Sequence, residues 1–388
     1  MPESGQTVAG RGPRTVFRGE QAFPFLQLGT RMTCARRRAG ERMTTPTKRS
    51  RSERHVSTFS IIALWALLSG LTSLAAQPID IRVHDPVMIR QDGVYYIFCT
   101  GRGISVFSSE DMRHWKAEAP VFSASPEWTQ RVVPGFRNHE WAPDISYRNG
   151  RYYLYYSVSA FGKNTSAIGL ATNATLHPDD PAFRWVDQGP VIESVPGRDL
   201  WNAIDPNLAI DEEGTPWLTF GSYWLGIKLV KLREDMTRIA ERPQVWHTIA
   251  ARQRYWKMDE RDAGDTENSD IEAPFLFRKN GYFYLFASWD RCCAGKDSTY
   301  KVVVGRSRTI TGPFLDRTDR KMVHGGGTLV VKGDENWAGV GHSATVTFDG
   351  MDYLVFHGYD NSDEGRPKLW IQRIEWDAQG WPTVSLAP

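Results

Sequence analysis

The chain has 388 residues, 41% hydrophobic and 24% charged, an ordinary globular composition that needs no more than one large domain. Residues 1–76 hold 12 Lys/Arg against 4 Asp/Glu, which leaves 35 against 41 for residues 77–388. The overall charge of +2 therefore conceals a mildly acidic body, with no electrostatic footprint for nucleic acid.

Residues 1–55 are rich in Arg, Ser and Thr and show no sustained apolar period. Arg49, Arg51 and Arg54 then precede an apolar run from Phe59 to Ala76, and Gln77 follows it. This layout predicts a secretory signal peptide cut near Ala76. An uncleaved membrane anchor is the competing reading, and the lower apolar density after Ser69 weakens it. More than fifty residues ahead of a signal peptide is abnormal, so Met43, or else Met32, is the expected start. The expected organisation is a leader over 1–76, with 1–42 an over-long beginning, and one domain over 77–388. That domain is expected in the periplasm or the medium, free of membrane after cleavage. Cys99, Cys292 and Cys293 remain in it, with no CxxC spacing for zinc. One of the adjacent pair could partner Cys99, and export permits a disulfide without requiring it.

The aromatic content is high, with 15 Trp, 14 Tyr and 18 Phe, which suits strands and sugar-binding clefts better than helices. It falls into a repeat. A short polar motif is followed by a turn and an aromatic strand, five times: His84-Asp85-Pro86, Trp141-Ala-Pro-Asp144, Ile204-Asp205-Pro206, Glu272-Ala-Pro274 and Gly341-His342-Ser343. Asp-Gly and Asn-Gly pairs form the hairpin turns in most of them. Runs such as Thr165–Ala171 and Lys301–Arg306 supply third strands, and Phe183-Arg-Trp and Phe314-Leu-Asp the outer edge. Units of about sixty residues with several antiparallel strands predict an all-β, five-bladed β-propeller. The first strand of each blade lines the central channel, so Asp85, Asp144, Asp205, Glu272 and His342 are expected at one mouth. Singly, each is a common turn residue; five in register point to a site, with Asp144, deeper in its motif, structural or substrate-orienting.

A pair of carboxylates across a glycosidic bond is the minimum equipment for hydrolysing it, and a third can raise the pKa of the acid. At these motifs the sequence resembles glycoside hydrolase family 43, and within it the endo-1,5-α-L-arabinanases, over about residues 80–386. The resemblance implies inverting endo-hydrolysis of α-1,5-L-arabinan, with Asp85 as general base, Glu272 as general acid and Asp205 as pKa modulator. It also places His342 beside a central metal, usually calcium, whose shell is completed largely by water. The bland alternative for His342 is a hydrogen-bonded channel histidine, because calcium prefers oxygen ligands.

Trp141, Trp201, Tyr223, Trp224 and Phe161 are candidate sugar platforms, each of which could instead fill space between blades. Asn164 and Ser166 could hydrogen-bond sugar hydroxyls. Asp290-Arg-Cys-Cys-Ala-Gly295 resembles the arabinanases more than the β-xylosidases, and His357 is read as structural or supporting. The polar stretch Arg252 to Asp270 could wall one end of the cleft, which bears on endo or exo action. An exo-acting α-L-arabinofuranosidase or β-xylosidase could use the same carboxylates, but those relatives often carry a further β-sandwich, for which no length remains. A non-catalytic glycan-binding propeller is opposed by the presence of all three carboxylates. The partner expected is arabinan or its oligosaccharides, and the chain is expected to act as a monomer.

Overall fold

The computed structural model describes residues 79–240, 245–252 and 270–386. The expected leader, and residues 253–269 of the polar stretch, lie outside the described residues. Five four-stranded antiparallel sheets form the blades of a β-propeller. Their innermost strands are Val87–Gln91, Trp141–Arg148, Asn207–Ile210, Ile271–Lys279 and Trp337–Phe348. Each packs against the innermost strand of the next blade, and the fifth against the first, so the ring is closed. In blades 1 to 4 the strands run outward in chain order. Blade 5 differs: its outermost strand is Ile79–Arg82, from the other end of the domain, paired with Arg366–Arg373. The third strands run Ser166–Asn173 and Lys301–Ser307, as the sequence places them. The outer edges are Val186–Ser194 and Thr328–Lys332 instead of the segments at 183 and 314; Phe314 is buried in the core.

The aromatic runs have a simple physical explanation. Both faces of each blade are covered, so the second strands are buried nearly throughout, and side-chain alternation sorts residues between the two neighbours. In Arg151–Val158, Leu154 and Tyr156 join Phe98 and Tyr96 against blade 1, whereas Tyr153 and Tyr155 join Leu218 and Phe220 against blade 3. In Tyr282–Trp289, Phe283 and Leu285 face Leu229 of blade 3, while Tyr284 and Phe286 face Phe356 and Trp370 of blade 5. Ile97 and Met88 meet Val355 and Leu369 to close the circle. Each blade interface thus has its own hydrophobic cluster, and each fully buried Leu or Phe contributes about 1.5–3 kcal/mol. Among the described residues no helix is long and apolar enough to cross a membrane.

Candidate active site

Every blade enters the channel through a backbone kink. Asp85, Ala142, Asp205, Ala273 and His342 have φ of +53°, +44°, +57°, +54° and +51°. Side chains other than glycine rarely adopt this region, and it persists only where the surroundings enforce it. In blades 2, 4 and 5 the register slips at this point, as a β-bulge requires. The bulge turns one residue per blade towards the mouth and leaves its backbone N–H without a ladder partner.

A side chain of the preceding blade accepts that N–H in each case. Thr100 Oγ1 accepts from Ala142 (2.8 Å), Ser157 Oγ from Asp205 (2.9 Å), Ser288 Oγ from His342 (2.9 Å) and His357 Nδ1 from Asp85 (3.1 Å). These four side chains occupy one position, just where the second strand returns to the mouth. In blade 3 that position is Gly221, which has no side chain to offer. The N–H of Ala273 is accepted there by Asp205 Oδ2 at 3.0 Å. The missing hydroxyl draws the Asp205 carboxylate across to blade 4, next to the residue that follows Glu272.

This register corrects the alignment of the five motifs. Asp85, Asp205 and His342 are equivalent, but Glu272 lies one position earlier, matched with Trp141 and Gly341. Asp144 lies two positions beyond its kink residue, pairs with Tyr155, and is 3% exposed. Both its oxygens are taken by blade 3, from Asn207 Nδ2 (3.1 Å) and the Leu208 N–H (2.8 Å). It therefore ties two blades together. The signal for this register is present in the sequence: proline follows the kink residue in four blades, at 86, 143, 206 and 274.

Asp85, Asp205 and Glu272 are 8%, 6% and 8% exposed and interact electrostatically. Asp85 accepts from Thr100 Oγ1 and His84 Nδ1 (2.8 Å) on Oδ2, and from His342 Nδ1 (3.0 Å) on Oδ1. Burial alone would push its pKa up, yet His84 and His342 hold it well below the usual carboxylate range. These partners favour its ionised form. Glu272 is bonded to Ser222 Oγ (2.8 Å) and Tyr300 Oη (2.7 Å), hydroxyls that can donate to a carboxylate or accept from an acid. Burial pushes Glu272 up, and burial with the Glu272 and Asp85 charges pushes Asp205 up. Both carboxyls thus favour the protonated form, where Asp85 favours the ionised one. Burial disfavours a charge on His342, but Asp85 and the pair outweigh it and raise the imidazole to about 9.

His84, Asp85 and His357 place one ligand atom each within 4.8 Å of one another, a group that could hold a metal ion. His342 is not in that trio; it engages the same Asp85 from the other side. Tyr223 lies beside the acid pair, its N–H donating to the Ile271 carbonyl, and with Trp224 it is half-buried. Trp141 is half-buried opposite Ser157. Phe161 is 79% exposed. Trp201 packs on Trp246 with ring centres 4.9 Å apart. Asn164 Nδ2 donates to the carbonyls of Asp199 and Trp201, and Ser166 is fully buried against Ser159 and Asn202. Asn164 Nδ2 and Ser166 Oγ thus brace the loops around Trp201. Sequence reasoning missed His84, Thr100, Ser222, Tyr300 and Tyr359. The four cap residues were legible as the polar residue seven positions beyond the turn glycine, Gly93, Gly150, Gly281 and Gly350. Cys292 and Cys293 are bonded to each other, and Cys99 is a buried free thiol.

The model of glycosyl hydrolases family 43 matches residues 76–382. The extracellular exo-α-(1→5)-L-arabinofuranosidase ArbA of Cellvibrio japonicus is 52% identical over 325 residues, 84% of this chain and 92% of that protein. The extracellular endo-α-(1→5)-L-arabinanase 1 of Bacillus subtilis is 40% identical, over 82% of this chain and 95% of its own length. Among solved structures, an exo-1,5-α-L-arabinanase from a bovine ruminal metagenomic library superposes with a TM-score of 0.74 at 46% identity, covering 80% of this chain and 99% of that one.

Proposed function

The chain belongs to glycosyl hydrolase family 43, and from that membership we propose that it hydrolyses α-1,5-linked L-arabinofuranosyl bonds with inversion. What supports this assignment of roles is that His84 and His342 hold the Asp85 carboxyl well below the usual carboxylate range, whereas burial pushes Glu272 and Asp205 up. Asp85, ionised, takes a proton from a water as its oxygen attacks the anomeric carbon. Glu272 gives its proton to the departing O5 of the next sugar, and the glycosidic bond breaks. Asp205, bonded to the Ala273 N–H, keeps a negative charge from settling on Glu272 beforehand and fixes its strand. Inversion in one displacement needs about 6.5–9.5 Å between the two carboxyl groups, to admit the water. Tyr223, Trp224, Trp141 and Phe161 are the aromatic surfaces available to the sugar chain. The relatives named extracellular, with the apolar run at 59–76, support export.

The trio His84, Asp85 and His357 is nitrogen-rich, and both imidazoles are already engaged by hydrogen bonds. Calcium takes six to eight oxygens, roughly the opposite donor set. His342 supplies a single imidazole to the same region. The protein ligands alone do not complete a calcium shell, which here would be filled largely by water, and no step above runs through a metal.

Release from a chain end is a second reading, favoured over endo cleavage by a specific observation: relatives at 52% and 46% identity carry "exo" in their names, against 43% and 40% for endo enzymes. A time course on linear α-1,5-arabinan separates them. One short product from the first time point means chain-end action, whereas an early ladder with falling viscosity means endo action. No cleavage of polymer or oligosaccharide would refute the substrate assignment.

A further inference from the structure

Behind Asp85 lies a chain of hydrogen bonds whose direction can be worked out. Tyr359 Oη is 2.8 Å from His84 Nε2, 3.2 Å from His357 Nε2, and accepts the Cys293 N–H at 2.8 Å. His357 Nδ1 accepts the Asp85 N–H, so a neutral His357 carries its hydrogen on Nε2 and donates it to Tyr359. The two lone pairs of the phenol oxygen are then filled, by Cys293 and His357. Its own hydrogen is then directed at His84 Nε2, 2.8 Å away. Ser298, the other hydroxyl beside Tyr359, accepts the Ala294 N–H with one lone pair, and its second is the competing acceptor. With Nε2 accepting, His84 holds its hydrogen on Nδ1, facing Asp85 Oδ2 at 2.8 Å.

We propose that Tyr359 is a positioning residue that fixes the Nδ1–H tautomer of His84, and through it the orientation of the Asp85 carboxylate. The vicinal Cys292–Cys293 bond gives this arrangement its anchor. It pins the peptide whose N–H points at Tyr359, and the Cys293 sulfur sits 3.9 Å from His84 Nε2. Without the Cys293 donor, the phenol could turn and accept from His84, and the imidazole would then present a lone pair to a carboxylate.

The kinetic half of this inference rests on Asp85 being the base; the tautomer half does not. The test is therefore nitrogen NMR of the imidazoles in the full chain at neutral pH, with His84 identified by its loss in His84→Asn, alongside kinetics on arabino-oligosaccharides. The hydrogen is expected on Nδ1 of His84. In Tyr359→Phe it redistributes to Nε2, and kcat falls about 10- to 100-fold, the usual scale for losing a residue that orients a histidine. KM changes little. Asparagine at 84 has a donor near the Nδ1 position and no tautomer, so adding Tyr359→Phe there costs less than about twofold. A hydrogen on Nε2 in the unmodified chain overturns the proposal whether or not Tyr359→Phe folds. So does an unchanged kcat in a folded Tyr359→Phe, or the same loss in both backgrounds, which would make Tyr359 merely structural. If the tautomer is confirmed but Asp85→Asn remains active, the role given to Asp85 fails and the hydrogen-bond chain stands.

Discussion

Thr100 does two jobs with one hydroxyl. Its oxygen accepts the Ala142 N–H at 2.8 Å, across a blade boundary, and its hydrogen goes to Asp85 Oδ2. Thr100→Val replaces that hydroxyl by a methyl of nearly the same size, so packing is preserved and both bonds are lost. Ala142 is 2% exposed, and water has little access to the orphaned amide. Leaving a buried donor unsatisfied costs about 1–3 kcal/mol. For a domain of this size that lowers Tm by about 2–5 °C. The second loss is electrostatic. Asp85 gives up a donor that favours its charged form, so its pKa rises towards the ordinary carboxylate value. The acid limb of the kcat/KM profile, which reports the base in the free enzyme, then moves to higher pH. Thr100→Ser retains both bonds and should behave as the parent in both respects. Calorimetry and a pH–rate profile on the three proteins decide it. A Thr100→Val protein with the parent's Tm and acid limb would refute the reasoning that these caps support both fold and site.

Three further outcomes are expected. Glu272→Gln should lose about 10²–10⁴-fold on arabino-oligosaccharides, yet far less on an aryl arabinofuranoside whose leaving group needs no proton; equal losses on both would remove Glu272 from the acid role. His342 is raised from 6.5 to about 9, so its contribution to stability is complete below pH 6.5 and disappears as pH rises through 9. Denaturant unfolding should show up to ~3 kcal/mol of such loss that is missing from His342→Gln, and parallel slopes in the two proteins would contradict this. Gly221 has φ +129°, and a Cβ there would stand 2.9 Å from the Gly226 carbonyl oxygen. Gly221→Ala should therefore cost about 1–3 kcal/mol, measured by the same unfolding experiment, and a neutral result would mean that the backbone relaxes.

The blades were legible because of how propellers bury their strands. A second strand covered on both faces has to be apolar at every position, and Tyr152–Tyr156 and Phe283–Ala287 announce themselves for that reason. The membership of Asp85, Asp205 and Glu272 in one mouth followed from blade equivalence. Their register did not, because a bulge adds a residue to one strand without any fixed sequence mark, and Glu272 and Asp144 were aligned one and two positions away from the kink. The prolines would have supplied the register. The roles of Asn164, Ser166 and Asp144 were illegible for another reason. A polar side chain looks the same in sequence whether it meets a sugar or a neighbouring loop, and here all three bond to other segments of the protein. Tyr359 and the Cys292–Cys293 bond matter only through neighbours far away along the chain.

The ring is fastened by four residues. Ile79–Arg82 pairs with Arg366–Arg373, matching Ile79 to Leu369, and tucks Ile79 and Ile81 against the cluster shared by blades 5 and 1. During synthesis the latch is therefore made long before its keeper. Until residues near 369 emerge, blades 1 and 5 have no common seam, and the folding chain carries open sheet edges of the kind that recruit other chains. Bringing such distant segments together makes late closure the slow event. A protease or truncation that removes either partner should thus do more than trim an end: it would unseam a circle in which Asp85 of blade 1 depends on His357 of blade 5.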